Sequence, residues 1–532
     1  GCFAGRKPGI YRSNDVTLEN FVLHPATLFE LAHFLIVVGI SIRVIMRRPN
    51  TGVALSWLMI VAVFPFVGAL LYLLIGERRI GNRRTQRINS LRAEYEKLAQ
   101  SEIANRMAEI DWSTHTPTAA ALNRLGIRML GFPAIHGSRF AFYSDAQQIL
   151  KKLCEDIDAA RESILMEFYI WNEEGTADEV MDAIIRAARR GISCKILIDA
   201  MGARPWWKSG QPKQLRDAGV QLREALPVGL FRALVGRTDL RLHRKIVVVD
   251  GETAWTGSMN LVDPRFFKQE SGVGEWVDAM VRLEGTVVAP LAAVLLGDWS
   301  LETGESVAEH VESGVLRQAR PKGTVDMQVL SSGPGQTGDG LLQMLPGLVN
   351  AAQREIVLTT PYLVPDESLL RALRGAAGRG VSVRLIIPKR VDSLLARYAS
   401  RSYYDDLLDA GVEIHQYVGG LLHTKSVLVD NDMALFGTVN LDMRSLWLNY
   451  EVTLLVFGQI FAGENCANCS RNISIILSCW TAARGRNGTS RAAFSRMFCA
   501  SWRRCFDGDL KKGRESRMTG NSWRELPSNT SW

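Results

Sequence analysis

The chain has 532 residues, of which 47% are hydrophobic and 22% are charged, and its formal net charge is +8. This composition is typical of two or three folded domains and excludes an intrinsically disordered protein. Residues 1–97 and 458–532 each carry seven more basic than acidic residues, whereas residues 98–457 carry six more acidic ones. An acidic body argues against a nucleic-acid partner, because phosphate neutralisation needs a basic face.

Two apolar stretches open the chain and predict a transmembrane helical hairpin. The first runs from about Leu28 to Met46 and is interrupted by Glu30, His33 and Arg43, whereas the second, residues 52–76, has no charged residue. A spanning helix needs about 20 apolar residues, so the second stretch is the stronger candidate. The alternatives are a cleaved signal followed by one anchor, or a buried core helix.

Basic residues predict the orientation of this hairpin. Three precede the first stretch within residues 6–12, and six arginines follow the second within residues 78–92. The turn between the stretches holds only Arg47 and Arg48. Because the side richer in Lys and Arg is usually cytoplasmic, the large C-terminal body is expected on that side of the membrane.

One polar pattern occurs twice in the body. Residues 242–260 read LHRKIVVVDGETAWTGSMN, and residues 422–440 read LHTKSVLVDNDMALFGTVN. The shared positions, 180 residues apart, are His243, Lys245, Asp250, Gly257, Ser258 and Asn260 in the first copy and His423, Lys425, Asp430, Gly437, Thr438 and Asn440 in the second. A single copy is weak evidence of function, but two copies at identical spacing indicate a duplicated functional unit.

The segments before each copy also repeat, and they predict the fold. Residues 187–199 parallel 376–388, and their apolar runs bounded by glycine indicate parallel strands covered on both faces. Helices that alternate with such strands predict an α/β fold of two similar halves about a pseudo-twofold axis, with both motifs at the shared seam. The predicted domains are a hairpin with a basic linker (1–97), a first repeat (98–320), a second repeat (321–457) and an atypical tail (458–532).

The paired residues suit the chemistry of a phosphodiester. Two lysines, Lys245 and Lys425, can bind the non-bridging oxygens and stabilise transition-state charge, as can the carboxamides of Asn260 and Asn440. One of the two histidines can attack phosphorus while the other protonates the leaving alcohol. No cluster of metal ligands accompanies them, so neither a metal nor a cofactor is predicted.

Several further residues are candidates for supporting roles. Asp250 and Asp430 close their strands and hold either a turn or a lysine. Asp278 and Glu451 lie beyond the two motifs and can orient an imidazole. For all four carboxylates, a helix cap or a surface ion pair is an equally good interpretation. Ser258 and Thr438 are expected to donate hydrogen bonds beside the site.

The doubled His-x-Lys-x4-Asp pattern with its Gly-Ser/Thr-x-Asn tail resembles the phospholipase D superfamily. Longer strings resemble the bacterial cardiolipin synthases within it, among them RLHRKIVVVDG, TTPYLVPDESLLRAL and VNLDMRSLWLNYEV. The resemblance covers residues 25 to 457 and implies that two phosphatidylglycerol molecules give cardiolipin and glycerol at the inner membrane. It also implies that the catalytic residues are His243, Lys245, Asp250, His423, Lys425 and Asp430.

Other functions remain open from the sequence. A phospholipase D hydrolase, in which water replaces the acceptor alcohol, shares the same motifs and releases phosphatidic acid. A nucleic-acid phosphodiesterase is disfavoured by the hairpin and the acidic body, and a catalytically silent scaffold by the two complete motifs. The oligomeric state, the acyl-chain preference and the identity of the attacking histidine are not predicted.

The tail changes character at about Gly458. Five of the eight cysteines follow residue 465, and no helical or strand period persists through residues 464–480. A shifted codon frame can encode a plausible amphipathic helix over the same stretch. The hypothesis is a frame-shifted translation from about residue 458, and the alternative is a genuine but divergent basic tail; neither has a catalytic role.

Overall fold

The computed structural model describes residues 25–47, 51–76, 82–104, 109–229, 237, 239–335, 340–458 and 523–526. It divides into an N-terminal unit, Gly1–Arg79, and a body, Ile80–Trp532. Apart from Gly458 and residues 523–526, the tail lies outside the described residues, so the frame-shift hypothesis stays a prediction.

The N-terminal unit consists of apolar helices. They are α1 (Pro25–Arg47), α2 (Thr51–Val63) and α3 (Pro65–Leu71), followed by a π-helical turn at Tyr72–Gly76. The second apolar stretch is therefore broken, because Pro65 has no backbone N–H with which to continue α2. Within the described residues only α1, over Thr27–Arg47, is long and apolar enough to cross a membrane. The second stretch forms two shorter apolar helices in series, Thr51–Val63 and Pro65–Gly76, neither of which reaches that length alone, so a second full span stays a prediction.

The body alternates helices with strands, as the repeated segments predict. Its helices are α4 (Asn82–Ala104), α5 (Pro117–Leu130), α6 (Ala146–Asp158), α7 (Thr176–Arg189), α8 (Arg204–Trp207), α9 (Gln211–Asp217), α10 (Val288–Thr303), α11 (Val307–Glu312), α12 (Gly340–Ala351), α13 (Glu367–Gly378), α14 (Leu394–Arg401), α15 (Tyr404–Asp409) and α16 (Met443–Trp447). Its strands are β1 (Ile135–Tyr143), β2 (Ser163–Phe168), β3 (Ser193–Asp199), β4 (Gln221–Ala225), β5 (Arg241–Leu242), β6 (Ile246–Val249), β7 (Thr253–Gly257), β8 (Trp276–Val277), β9 (Met280–Gly285), β10 (Val325–Ser332), β11 (Glu355–Thr359), β12 (Leu363–Val364), β13 (Ser382–Pro388), β14 (Glu413–Tyr417), β15 (Leu421–Leu422), β16 (Ser426–Val429), β17 (Met433–Gly437), β18 (Leu441–Asp442), β19 (Asn449–Phe457) and β20 (Trp523–Leu526).

The main sheet shows the pseudo-twofold symmetry directly. Its strand order is β20-β14-β13-β11-β16-β17-β19-β10-β1-β9-β7-β6-β2-β3-β4, and β5 pairs with β19. Strands β1 to β9 form the first half and β10 to β19 the second, and the two halves meet where β1 and β10 pair antiparallel. The predicted α/β fold with two similar halves is confirmed.

Helices cover the sheet and bury its apolar residues. Helices α6 and α7 pack on the first half, and α12 and α13 pack on the second. Helix α10 is apolar nearly all round, as expected for a fully buried helix, and it covers strands of both halves at the seam. Helix α4 adds Leu91 and Tyr95 to the same core, so this helix belongs to the body although the sequence placed most of it in a linker.

Candidate active site

Each motif histidine lies in a short segment between two strands. His243 and Lys245 lie between β5 and β6, and His423 and Lys425 lie between β15 and β16. The strand before each histidine pairs with the opposite half, because β5 pairs with β19 and β15 pairs with β8. The backbone N–H of His243 donates to the carbonyl of Tyr450 at 2.9 Å, and that of His423 to Val277 at 2.8 Å. Each histidine is therefore held by the other half of the protein.

The carboxylates complete this crossed arrangement. Nδ1 of His243 lies 2.8 Å from Oε2 of Glu451, and Nδ1 of His423 lies 2.7 Å from Oδ1 of Asp278. All four side chains are buried, with Glu451 fully inaccessible to solvent. The sequence named these carboxylates as possible partners of an imidazole, and the structure shows that each belongs to the histidine of the opposite half.

The Gly-Ser/Thr pair of each motif supports the carboxylate of its own half. Ser258 donates its hydroxyl to Asp278 and Thr438 donates to Glu451, both at 2.5 Å. A Cβ at the glycine before Ser258 would lie 2.4 Å from the carbonyl oxygen of Ala279, so only glycine lets the two strands approach this closely. A Cβ at Gly437 would likewise lie 2.4 Å from the carbonyl oxygen of Val452 in the opposing strand. The hydroxyls are thereby placed beside the carboxylates.

Burial sets the protonation of the imidazoles and their partners. Desolvation lowers the pKa of His243 and of His423 to about 4, although the neighbouring carboxylates oppose the shift. Burial alone would raise the pKa of Asp278, but His423, Lys425 and Ser258 together outweigh it and the pKa falls to about 2. The pKa of Glu451 is lowered in the same way by His243. At neutral pH, neutral imidazoles donate Nδ1–H to ionised carboxylates, and Nε2 is left with its lone pair.

The two lysines are buried beside the histidines. Each Nζ donates to the backbone carbonyl of the histidine two residues earlier, at 2.8 Å for Lys245. Burial lowers the pKa of Lys245 to about 8 and that of Lys425 to about 7, and the charge of Lys245 contributes to the second shift. A bound anion would reverse these shifts, because it stabilises the ammonium form. The site is therefore built to gain positive charge when an anion enters.

The carboxamides retain hydrogen-bonding capacity. Oδ1 of Asn260 accepts the backbone N–H of Ile170 at 3.2 Å, which leaves its NH2 group for another acceptor. Asn440 is buried, and its Oδ1 has no hydrogen-bond partner within the described part of the chain. Both side chains are thus able to bind a polar group in the cleft.

The motif aspartates do not join the histidines. Asp250 accepts hydrogen bonds from three successive backbone N–H groups, of residues 161–163, at 2.8–2.9 Å, and Asp430 does the same for residues 353–355 at 2.7–2.8 Å. Five residues of extended chain put Asp250 about 16 Å from Lys245. Both aspartates have a positive φ, of 53° and 52°, and turn the chain at the far end of β6 and β16. The structure therefore places them as anchors of the neighbouring strands rather than in the cleft.

Three residues beside the site were missed by the sequence analysis. The ring of Tyr169 lies 5.1 Å from that of His243, and the ring of Trp276 lies 4.4 Å from that of His423. Arg244, between His243 and Lys245, donates to the carbonyl of Glu451 at 3.0 Å and pairs with the Asp298 carboxylate. The only sequence signal was the charge of Arg244 inside the motif. Among the described residues, no group of three or more His, Cys, Asp or Glu side chains is placed to hold a metal ion.

The doubled fold with its crossed histidine–carboxylate pairs places the chain in the class of phospholipase D-like proteins. A family model described as "Cardiolipin synthase, PLD-like domain" matches residues 153–273 and 346–469, and one described as "Phospholipase_D-nuclease N-terminal" matches residues 35–77. The phosphatidylserine synthase of Haemophilus influenzae Rd KW20 has the same fold, with a TM-score of 0.51 and 18% identity over 68% of this chain and 91% of that one.

Curated relatives narrow the class to one family. Proteins named cardiolipin synthase A from Yersinia pseudotuberculosis and from Yersinia pestis are 41% identical to this chain over 437 residues. The alignments cover 82% of this chain and 90% of each relative. The chain belongs to the cardiolipin synthase family.

Proposed function

We propose that the chain is a membrane phosphatidyltransferase that converts two phosphatidylglycerol molecules into cardiolipin and glycerol through a phosphohistidine. The observation that carries the proposal is the crossed pair of histidines, each with Nδ1 on a carboxylate of the opposite half. The names of the relatives support the same activity.

In the first step, one imidazole attacks the phosphorus of the first phosphatidylglycerol through Nε2. The bond from phosphorus to the headgroup glycerol breaks, and the second imidazole gives its proton to the departing oxygen. The negative charge of the phosphodiester raises the pKa of both imidazoles above the low values of the free site. The second imidazole therefore takes up a proton on Nε2 when the lipid binds, and it gives that proton to the departing oxygen. The products are a phosphatidyl-histidine and glycerol.

In the second step, the second imidazole, now neutral, removes the proton from a headgroup hydroxyl of another phosphatidylglycerol. That oxygen attacks phosphorus, the phosphorus–nitrogen bond breaks, and cardiolipin leaves. The first imidazole is then free again, and the second again carries the proton that it held with the first lipid bound, so no proton is gained or lost over the cycle. Water in place of the second lipid would give phosphatidic acid, which is the hydrolase alternative.

The remaining site residues have binding and positioning roles in this scheme. Lys245, Lys425, Asn260 and Asn440 bind the non-bridging oxygens and stabilise the charge that develops on them. Ser258 and Thr438 hold the carboxylates of Asp278 and Glu451 in place. Asp250 and Asp430 stabilise the strands that carry the lysines.

We also propose that the protein lies in the bacterial inner membrane as a multi-pass protein with its body in the cytoplasm. Support comes from the apolar helix α1 and from the basic residues that flank the two apolar stretches. Protease added to inside-out vesicles would then digest the body, whereas protease added to right-side-out vesicles would leave it intact. Digestion of the body only in right-side-out vesicles would show the opposite orientation.

A product assay tests the proposed reaction. The purified full chain, in detergent with a chelator, would be given phosphatidylglycerol labelled in its headgroup glycerol, and the products would be separated. Cardiolipin and glycerol in equal amounts are expected. Phosphatidic acid without cardiolipin would establish the hydrolase instead.

A further inference from the structure

Helix α14 (Leu394–Arg401) carries the most exposed apolar side chains of the body. Leu395 is 84% exposed, Leu394 is 61% exposed and Tyr398 is 59% exposed. No other large apolar side chain among the described residues of the body is more than 47% exposed. Isolated exposed leucines are common, but three within two turns of one short helix indicate an interaction surface.

The charges around this helix identify what it contacts. Residues 389–401 contain four basic residues and a single acidic one, Asp392. That carboxylate is already used inside the protein, because it accepts from the hydroxyl of Tyr362 at 2.6 Å and lies 3.4 Å from Nζ of Lys268. Exposed leucines with surrounding basic side chains fit an anionic lipid surface, which takes apolar groups below its headgroups and cations at its phosphates. A second copy of the same helix would instead bring like charges together.

A short series of contacts connects α14 to the cleft. The ring of Trp276 lies 4.4 Å from that of His423, and Nζ of Lys268 lies 5.1 Å from the centre of the Trp276 ring. Lys268 in turn contacts Asp392, and α14 begins immediately afterwards, with the Ser393 hydroxyl capping its first turn. Near its other end, Ser400 accepts the backbone N–H of Leu363 in β12, and β12 pairs with β18 just after Asn440. The helix therefore lies at the edge of the site itself.

We propose that α14 docks the body onto the anionic lipid surface beside its own cleft. Leu394, Leu395 and Tyr398 enter the boundary of the acyl chains, and the neighbouring basic side chains bind lipid phosphates. The docked helix presents the mouth of the cleft to lipids that are still in the bilayer. This inference deepens the proposed function by specifying how the lipid substrates reach the site.

Kinetics with two substrates of different physical state test the docking surface. The full chain and its Leu394→Gln/Leu395→Gln variant would be compared on long-chain phosphatidylglycerol in mixed micelles and on a monomeric short-chain phosphatidylglycerol. We expect KM for the micellar lipid to rise about tenfold or more, because the variant no longer inserts two leucines into the lipid. The value of kcat/KM for the monomeric lipid should stay unchanged. Val311→Gln, at a 42% exposed residue of α11, is the matched control and should alter neither substrate.

Equal effects of the variant on both substrates, or none on either, would overturn the proposal. If the wild-type chain makes no cardiolipin from either substrate, the proposed function fails, and a binding measurement then decides the docking surface on its own. The variant Tyr398→Trp would be bound to nanodiscs that contain phosphatidylglycerol and brominated lipid, and the fluorescence of its added tryptophan should be quenched by the bromine. The added tryptophan of Val311→Trp should not be quenched. An unquenched signal at residue 398, or a fall in oligomer mass in the leucine variant, would assign α14 to another partner.

Discussion

Replacing Glu451 by Gln tests the crossed arrangement most directly. The substitution keeps the shape of the side chain and its hydrogen bond from Thr438, but it removes the negative charge that faces Nδ1 of His243. The amide can present either its oxygen or its NH2 group to the imidazole, so the ring is no longer held in one tautomer. The perturbation acts on the first half of the protein from a residue in the second.

The size of the effect follows from the burial of the pair. A hydrogen bond to a charged group contributes roughly 1.5–3 kcal/mol, and Glu451 is fully buried, so solvent does not screen the contact. That range corresponds to a loss of about 10- to 150-fold in kcat. KM for phosphatidylglycerol should change little, because the carboxylate contacts the imidazole rather than the lipid.

The assay is cardiolipin formation from labelled phosphatidylglycerol over a range of pH. Glu451 also raises the pKa of Lys245, so its loss should move the alkaline fall in activity to lower pH. Glu367→Gln, which removes a surface carboxylate that is 74% exposed, is the matched control and should behave as the wild type. A Glu451→Gln protein with wild-type kcat and pH profile would refute the argument that the opposite half orients His243.

Three further predictions follow from the same geometry. His243→Ala and His423→Ala should each abolish cardiolipin formation in that assay, because one imidazole attacks while the other transfers the proton; near-normal turnover in either would mean that the two motifs do not form one site. The value of kcat/KM, which reports on the free enzyme, should fall as the pH rises through about 7 to 8, where Lys425 and Lys245 lose their protons. The fall in kcat should lie at higher pH, because the bound phosphodiester stabilises the ammonium forms. Profiles of kcat and kcat/KM that fall at the same pH would contradict this. Asp250→Asn should lower the free energy of unfolding, measured by denaturant titration, by roughly 1–3 kcal/mol, because the carboxylate accepts hydrogen bonds from three backbone N–H groups. The value of kcat should stay nearly unchanged. A stable variant that lost activity would show that Asp250 takes part in catalysis.

The sequence alone determined the features that depend on local pattern. Apolar runs bounded by glycine identified the buried strands, and the repeat of 180 residues identified two similar halves with one motif each. The residue types of the motif also predicted phosphodiester chemistry, because an imidazole and an ammonium at fixed spacing suit that reaction. Pro65 also predicts the break in the second apolar stretch, because proline lacks the backbone N–H that would continue the hydrogen bonding of the helix.

The tertiary structure decided which groups meet. Glu451 and His243 are 208 residues apart and Asp278 and His423 are 145 apart, so no local period reveals that each carboxylate serves the opposite half. Asp250 shares the spacing of the motif but accepts hydrogen bonds from the backbone at the start of β2, because the direction of β6 carries it away from the lysine. The positions of Trp276 and of the exposed face of α14 beside the site likewise depend on the elements packed against them. Strand pairing between distant segments, which forms only when the whole sheet assembles, sets these contacts.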